Sequence, residues 1–217
     1  MTLQLFAHPF SSYCWKVLIP LYENGTEFEY RHIEHEGVFA ELAGHWSIGK
    51  FPVLRDGDKT IVETSAIIEH LQIHHPGPVP MIPGDPDAAI EVRMLDRIFD
   101  NYVMNAMQPL VNNAIRPEEK RDPFVAEGVH AALDKSYAWL DARMETREWA
   151  AADRFSLADC AAAPSLFYAD WAYPIPEQFT HLKAYRARLL ARPSVTRAVD
   201  EARPYRSYFP LGAPDRD

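Results

Sequence analysis

The sequence predicts an α/β N-terminal domain of order βαβαββα plus an all-α C-terminal helical domain, over residues 1–75 and 87–217, joined by a linker at 76–86. Three observations predict it. Leu3, Leu5 and Ala7 alternate as a strand and run through a proline turn into an amphipathic stretch. Phe51-Pro52-Val53-Leu54 and Thr60-Ile61-Val62 flank an Asp56-Gly57 turn, a strong hairpin signal. From residue 76 to 86 come five prolines and two glycines, and beyond them only helical periodicity is found.

The elements follow in order. Residues 3–7 form the first strand and 12–24 the first helix, which Asn24-Gly25 closes. Phe28, Tyr30 and His32 alternate with Glu27, Glu29 and Arg31 as a second strand. A short helix runs through Val38-Phe39-Ala40-Glu41-Leu42, then come the hairpin and a helix starting at Glu63-Thr64-Ser65. The linker is stiff, and its apolar residues pack on a neighbour.

Past the linker, Leu95, Ile98, Phe99, Tyr102, Val103, Ala106, Met107, Leu110, Val111, Ala114 and Ile115 recur at spacings of three and four. They predict one helix of roughly thirty residues. Pro109, which cannot donate to the i−4 carbonyl, predicts a kink near 105–109. Asp122-Pro123 reads as an N-cap with a first-turn proline. Ser156-Leu157-Ala158-Asp159 is a capping box ahead of an almost wholly apolar run, and so of a buried central helix. Two further helices over 178–191 and 194–202 are split by Arg192-Pro193, and the aromatic tail 204–211 packs back on the body.

Composition excludes several classes. Net charge is −9 with no Lys/Arg cluster, so nucleic acid is not an expected partner. No apolar run approaches the ~20 residues of a membrane span. The start MTLQLFAHPF is too short for a signal peptide, so a cytoplasmic location is expected. Two distant cysteines, Cys14 and Cys160, make no disulfide framework. His32/His35 and His74/His75 lack recognised metal-ligand spacing, and no metal is expected.

The chemistry concentrates at Ser11-Ser12-Tyr13-Cys14, where a helix opens on hydroxyls and one thiol. A helix N-terminus offers unpaired N–H groups and partial positive charge, which favours an anion such as a thiolate. Ser11 or Ser12 also serves as an ordinary N-cap.

Four motifs, in order and across nearly the whole chain, resemble the glutathione transferase family. Ser11-Ser12-Tyr13-Cys14-Trp15-Lys16-Val17 looks like its serine-type turn, nearest the zeta-like group of bacterial members, though Tyr13 stands where that group has cysteine. Gly49-Lys50-Phe51-Pro52-Val53-Leu54 is similar to the family's G-K-x-P-x-L, whose proline is cis. Glu63-Thr64-Ser65-Ala66-Ile67 resembles E-S-x-A-I, and Ser156–Asp159 the S/T-x-A-D box. The resemblance implies a thioredoxin-like first domain that binds glutathione as co-substrate. It implies a thiolate that attacks a small hydrophobic electrophile, and a homodimer active in detoxification. Catalytic candidates are Ser11, Ser12 and Cys14, and Lys50, Phe51, Pro52, Glu63 and Thr64 are the glutathione-binding ones. Phe10, Tyr13, Tyr102 and Ala106 are expected to wall the electrophile pocket, with Tyr205 or Tyr208 closing it. Two alternatives stand beside conjugation. One is a non-catalytic module of the same fold binding glutathione or hydrophobic ligands; the other is a glutathione-dependent isomerase or dehalogenase.

Overall fold

The structure, a computed structural model, describes residues 3–217; Met1 and Thr2, which open the expected first domain, lie outside the described residues. One mixed sheet has the order β2-β1-β3-β4, from β1 (Leu3–Ala7), β2 (Phe28–His32), β3 (Val53–Asp56) and β4 (Lys59–Ile61). Central β1 sets Leu5 opposite Tyr30 of parallel β2 and opposite Leu54 of antiparallel β3. Leu3, Leu5, Ala7 and Leu54 join the main core with α1 (Ser12–Glu23) and α3 (Thr64–His74). Phe6 and Val53 join a smaller cluster with α2 (Val38–His45). Because successive residues face opposite sides, a one-residue slip of β1 would exchange the two sets.

Ser11 caps α1 in extended conformation, and Asn24 with left-handed Gly25 closes it. The Asn24 side-chain amide pairs with both backbone groups of Val79, and that of Gln72 with both of Ile82. These two clasps, with Met81 and Ile82 buried, seat the proline-rich segment on α1 and α3.

The helical half departs from the sequence expectation in one place that matters. In place of one long helix kinked at Pro109 there are α4 (Pro86–Ile98), a π-helical segment over Phe99–Met104, and α5 (Asn105–Ala114) with Pro109 inside it. A π turn inserts extra residues per turn, so it rotates the helix face that follows. The Tyr102 carbonyl accepts from Ser136 Oγ at 2.7 Å, an outside donor that compensates a disturbed ladder. α6 (Val125–Met144) begins later than Asp122-Pro123 suggests, because the Asp122 carboxylate accepts from the Phe124 N–H in a turn that precedes the helix.

Helix α7 (Leu157–Ala172) is buried along almost its whole length and packs against α1, α4 and the π segment. Asp159 fixes its start by accepting from the Ala150 N–H, the Ser156 N–H and hydroxyl, and the Tyr185 hydroxyl. Burial outweighs those bonds and raises the Asp159 carboxyl to about 6. Helices α8 (Thr180–Leu190) and α9 (Pro193–Ala202) follow, split at Arg192-Pro193. No helix among the described residues is long and apolar enough to cross a membrane.

A closing 3₁₀ segment over Arg203–Tyr208 returns to the sheet. Its Tyr205 ring lies edge-on to His8 at 4.7 Å, and the Tyr205 hydroxyl sits 3.0 Å from His32 Nε2. The His8 Nδ1 accepts from the Phe10 N–H at 3.0 Å and the His32 Nδ1 from the Glu34 N–H at 3.2 Å. Each neutral ring therefore carries its proton on Nε2, and a second proton would face a backbone donor. Burial holds both imidazoles below the usual 6.5, with Glu34 opposing it at His8. The folded chain thus binds fewer protons than the unfolded one. The stability these rings contribute is complete above pH 6.5 and is lost as pH falls through that value. Denaturant titrations at pH 7.5 and 5.5 are expected to show His8→Asn losing less stability than the wild type as pH falls, a comparison in which the opposite contribution of Asp159 cancels.

Candidate functional site

One cleft of about 770 Å³ separates the sheet half from the helical half, and three backbone features of the sheet half open onto it. The first is the start of α1. The Ser11 side chain caps the helix by accepting from the Cys14 N–H at 3.3 Å, which leaves its own O–H free to donate. Ser12 is the first helical residue, and both serines line the cleft. Cys14 does not line it. Its thiol is fully buried, accepts from the His8 N–H at 3.4 Å, and is pushed by burial up to about 12. As a candidate for contacting a ligand sulfur in the cleft it is corrected: it lies behind the cleft wall, and the hydrogen bonds at its thiol only partly offset the loss of solvation.

The second feature is the Phe51–Pro52 peptide, which is cis. Among the described residues the Phe51 N–H and C=O have no backbone partner, so an unpaired strand-like edge borders the cleft beside Lys50. The third is the start of α3. Glu63 has φ 67° and ψ 117°, a conformation that costs a side-chain-bearing residue about 1–3 kcal/mol. Its carbonyl accepts the Ile67 N–H at 2.9 Å, so the strained residue turns the chain into α3 and sets Thr64 at the positive helix end.

Beneath these features lies a buried ion cluster. Lys16 is 1 % exposed, and its ammonium meets Asp96 at 2.5 Å and Asp100 at 2.6 Å. Ser65, next to Thr64, donates to Asp96 at 2.7 Å and accepts from Lys16 at 3.2 Å. Arg97 reaches Asp96 at 3.0 Å and also bonds Ser65. Burial raises the Asp100 carboxyl, although Lys16 opposes that. Asp100 and Arg97 both surface in the cleft.

The apolar end of the cleft is made by Phe10, Met107, Val111, Tyr168, Phe209 and Pro210, with Tyr208 beside them. Tyr13 lines the cleft as expected, and its hydroxyl donates to Asn105 at 3.0 Å. Burial, with the Asp100 and Glu63 carboxylates adding to it, raises the Tyr13 phenol to about 12. Tyr102 and Ala106 are not among the lining residues, and Tyr102 is exposed. The π segment accounts for this correction, since Asn101, Asn105 and Gln108 take that wall. Sequence reasoning missed these and Arg97. Their signal was present as a polar stripe, Arg97-Asn101-Asn105-Gln108, at helical spacing within an apolar pattern. Of the two tail tyrosines, Tyr208 lines the cleft and Tyr205 bonds His32.

Residues 5–79 match the family described as "Glutathione S-transferase, N-terminal domain", and residues 100–193 match "Glutathione S-transferase, C-terminal domain". The chain is 30% identical over 173 residues to "Glutathione S-transferase 1" of Dianthus caryophyllus, covering 76% of each. It is 31% identical over 140 residues to "FtsZ-localized protein A" of Caulobacter vibrioides, covering 61% of this chain and 60% of that protein. A glutathione S-transferase from Methylobacillus flagellatus, solved with glutathione bound, superimposes with a TM-score of 0.79 at 27% identity, covering 91% of this chain and 98% of that one. Two family matches over successive parts of the chain, and a relative alike over three quarters of its length, establish that the chain belongs to the glutathione S-transferase family.

Proposed function

We propose that the protein is a serine-type glutathione transferase, with its active-site turn nearest the zeta-like group, that ionises the glutathione thiol and directs it at a small hydrophobic electrophile. One observation carries the reading: a free-donating hydroxyl at the N-cap of α1 shares a cleft with the unpaired Phe51 edge and the positive start of α3. The bound glutathione of the Methylobacillus flagellatus enzyme, whose fold this chain shares, supports the choice of ligand. In this reading Glu63 takes the γ-glutamyl ammonium, and Thr64 with the first amides of α3 takes its carboxylate. The Phe51 edge pairs with the cysteinyl amide as an added strand would. Lys50 meets the glycyl carboxylate.

The magnitudes suffice without a metal or a general base. A thiol of pKa ~8.5 needs roughly 2.7 kcal/mol to ionise with a pKa two units lower. A hydrogen bond to a charged acceptor supplies about 1.5–3 kcal/mol, and a helix N-terminus adds about 0.3–1. Ser11 is the donor in this account, because its oxygen accepts from the Cys14 amide and its rotatable O–H borders the cleft. The thiolate sulfur then forms a bond to the electrophilic carbon, and a leaving group such as halide departs with the electron pair. The apolar end of the cleft holds the carbon skeleton. The protein is read as a cytoplasmic homodimer active in detoxification, and exposed Ile73, Ile90 and Met94 on α3 and α4 offer apolar surface to a second copy.

Two measurements test this. With a chromogenic haloarene, Ser11→Ala is expected to lower kcat/KM by about 10–100-fold, the worth of one charge-assisted bond, while Ser12→Ala stays within ~3-fold. An unaffected Ser11→Ala enzyme, or glutathione binding with no turnover of any electrophile, contradicts the proposal. Glu63→Gly relieves the strained backbone, so its stability is expected to equal or exceed the wild type's while glutathione affinity falls about tenfold. Unchanged affinity removes Glu63 from the ligand.

A further inference from the structure

We propose that Asp56, His70 and His75 form a binding site for one Zn²⁺ ion, away from the cleft. Asp56 belongs to the β3–β4 hairpin, whereas His70 lies on α3 and His75 follows its last residue, so the hairpin and the helix end converge on one point. The Nε2 atoms of His70 and His75 each lie 2.9 Å from the same oxygen, Asp56 Oδ2. All three potential ligand atoms fall within 4.8 Å of one another. Zinc bound at about 2.0–2.1 Å sets tetrahedral ligands roughly 3.3–3.4 Å apart, so each contact opens by only a few tenths of an ångström.

The donor set selects the metal class. Two imidazoles and one carboxylate suit a borderline transition ion, whereas Ca²⁺ and Mg²⁺ take oxygen ligands. The three side chains are 11 %, 30 % and 20 % exposed for His70, His75 and Asp56, leaving a side on which water completes the shell. The His74 ring, 4.4 Å from that of His70 between centroids, stands beside the group without belonging to it.

Proton placement separates this site from the other histidine–carboxylate group, His8, His32 and Glu34. There both Nδ1 atoms accept backbone N–H groups, so the proton is held on Nε2 and the lone pair a metal needs is lacking. A metal on Nε2 would force an Nδ1–H against a backbone donor. At His70 and His75 no described donor engages Nδ1, so each ring can move its proton from Nε2 to Nδ1 through solvent and offer Nε2 to the ion. Asp56 is a carboxylate at neutral pH and needs to lose nothing. The spacing of histidines along the chain hid this site, because its third ligand comes from a different element.

The test uses full-length protein freed of metal by chelation, without glutathione, titrated with Zn²⁺ against a chromophoric chelator. One ion per chain at micromolar or tighter affinity is expected, with a rise in melting temperature on binding. His75→Ala and Asp56→Asn are each expected to weaken binding at least ~10-fold, and His8→Asn to leave it unchanged. His75→Ala alters a partly exposed side chain and is the safer of the two for folding. Co²⁺ in place of Zn²⁺ is expected to give the intense visible bands of tetrahedral coordination in the wild type and to lose them in His75→Ala. No saturable binding, or binding indifferent to both His75→Ala and Asp56→Asn, overturns the site.

Discussion

The ammonium of Lys16, sealed between the carboxylates of Asp96 and Asp100, is the constraint on which the cleft depends. It fastens α1, which carries the serine turn, to α4 and the π segment, and through Ser65 it holds the first turn of α3. Taking three charges out of water costs several kcal/mol per ion, and only close, mutually satisfied geometry recovers that cost. Arg97 balances the second carboxylate, so the cluster carries two positive and two negative groups. Removing one member leaves an unpaired buried charge, typically a loss of about 3–5 kcal/mol. The two helix starts facing the cleft are thus referenced to one rigid point.

That rigidity explains why the cleft tolerates two irregular features. Glu63 sits in a conformation that favours glycine, held from below by the Ser65 contacts and by its own carbonyl bond to Ile67. The π segment rotates α5 so that polar side chains border an otherwise apolar pocket, and Tyr13 is tied to that wall through Asn105. Both depart from local preference, and both border the cleft. Such departures collect where function competes with stability.

Most of the architecture was legible in the sequence because it follows from short-range rules. The alternation of β1, the Asp56-Gly57 hairpin, the Asn24-Gly25 stop and the Ser156–Asp159 cap each carry their own geometric reason, and each stands where expected. Ser11, Ser12, Lys50, Phe51, Pro52, Glu63 and Thr64 were singled out by their motifs, and the fold brings all of them to the lining of one cleft. What escaped depends on longer-range contacts. Helical periodicity assumes a constant turn, and the π segment breaks it, which misassigned Tyr102 and Ala106. The burial of Cys14 is decided by α7 and the core beneath β1, which no local pattern reports. Asp96 and Asp100 were hidden because their pairing with Lys16, some eighty residues earlier, is invisible to spacing.

In the proposed reaction the hydroxyl of Ser11 and the opening of α1 would hold a bound tripeptide's sulfur as an anion. Ultraviolet difference titration of thiolate absorbance, with glutathione saturating the protein, measures that directly. Ionisation with a pKa of about 6.5 is expected, two units below the free thiol's ~8.5. A bound thiol that still titrates near its free value would contradict it.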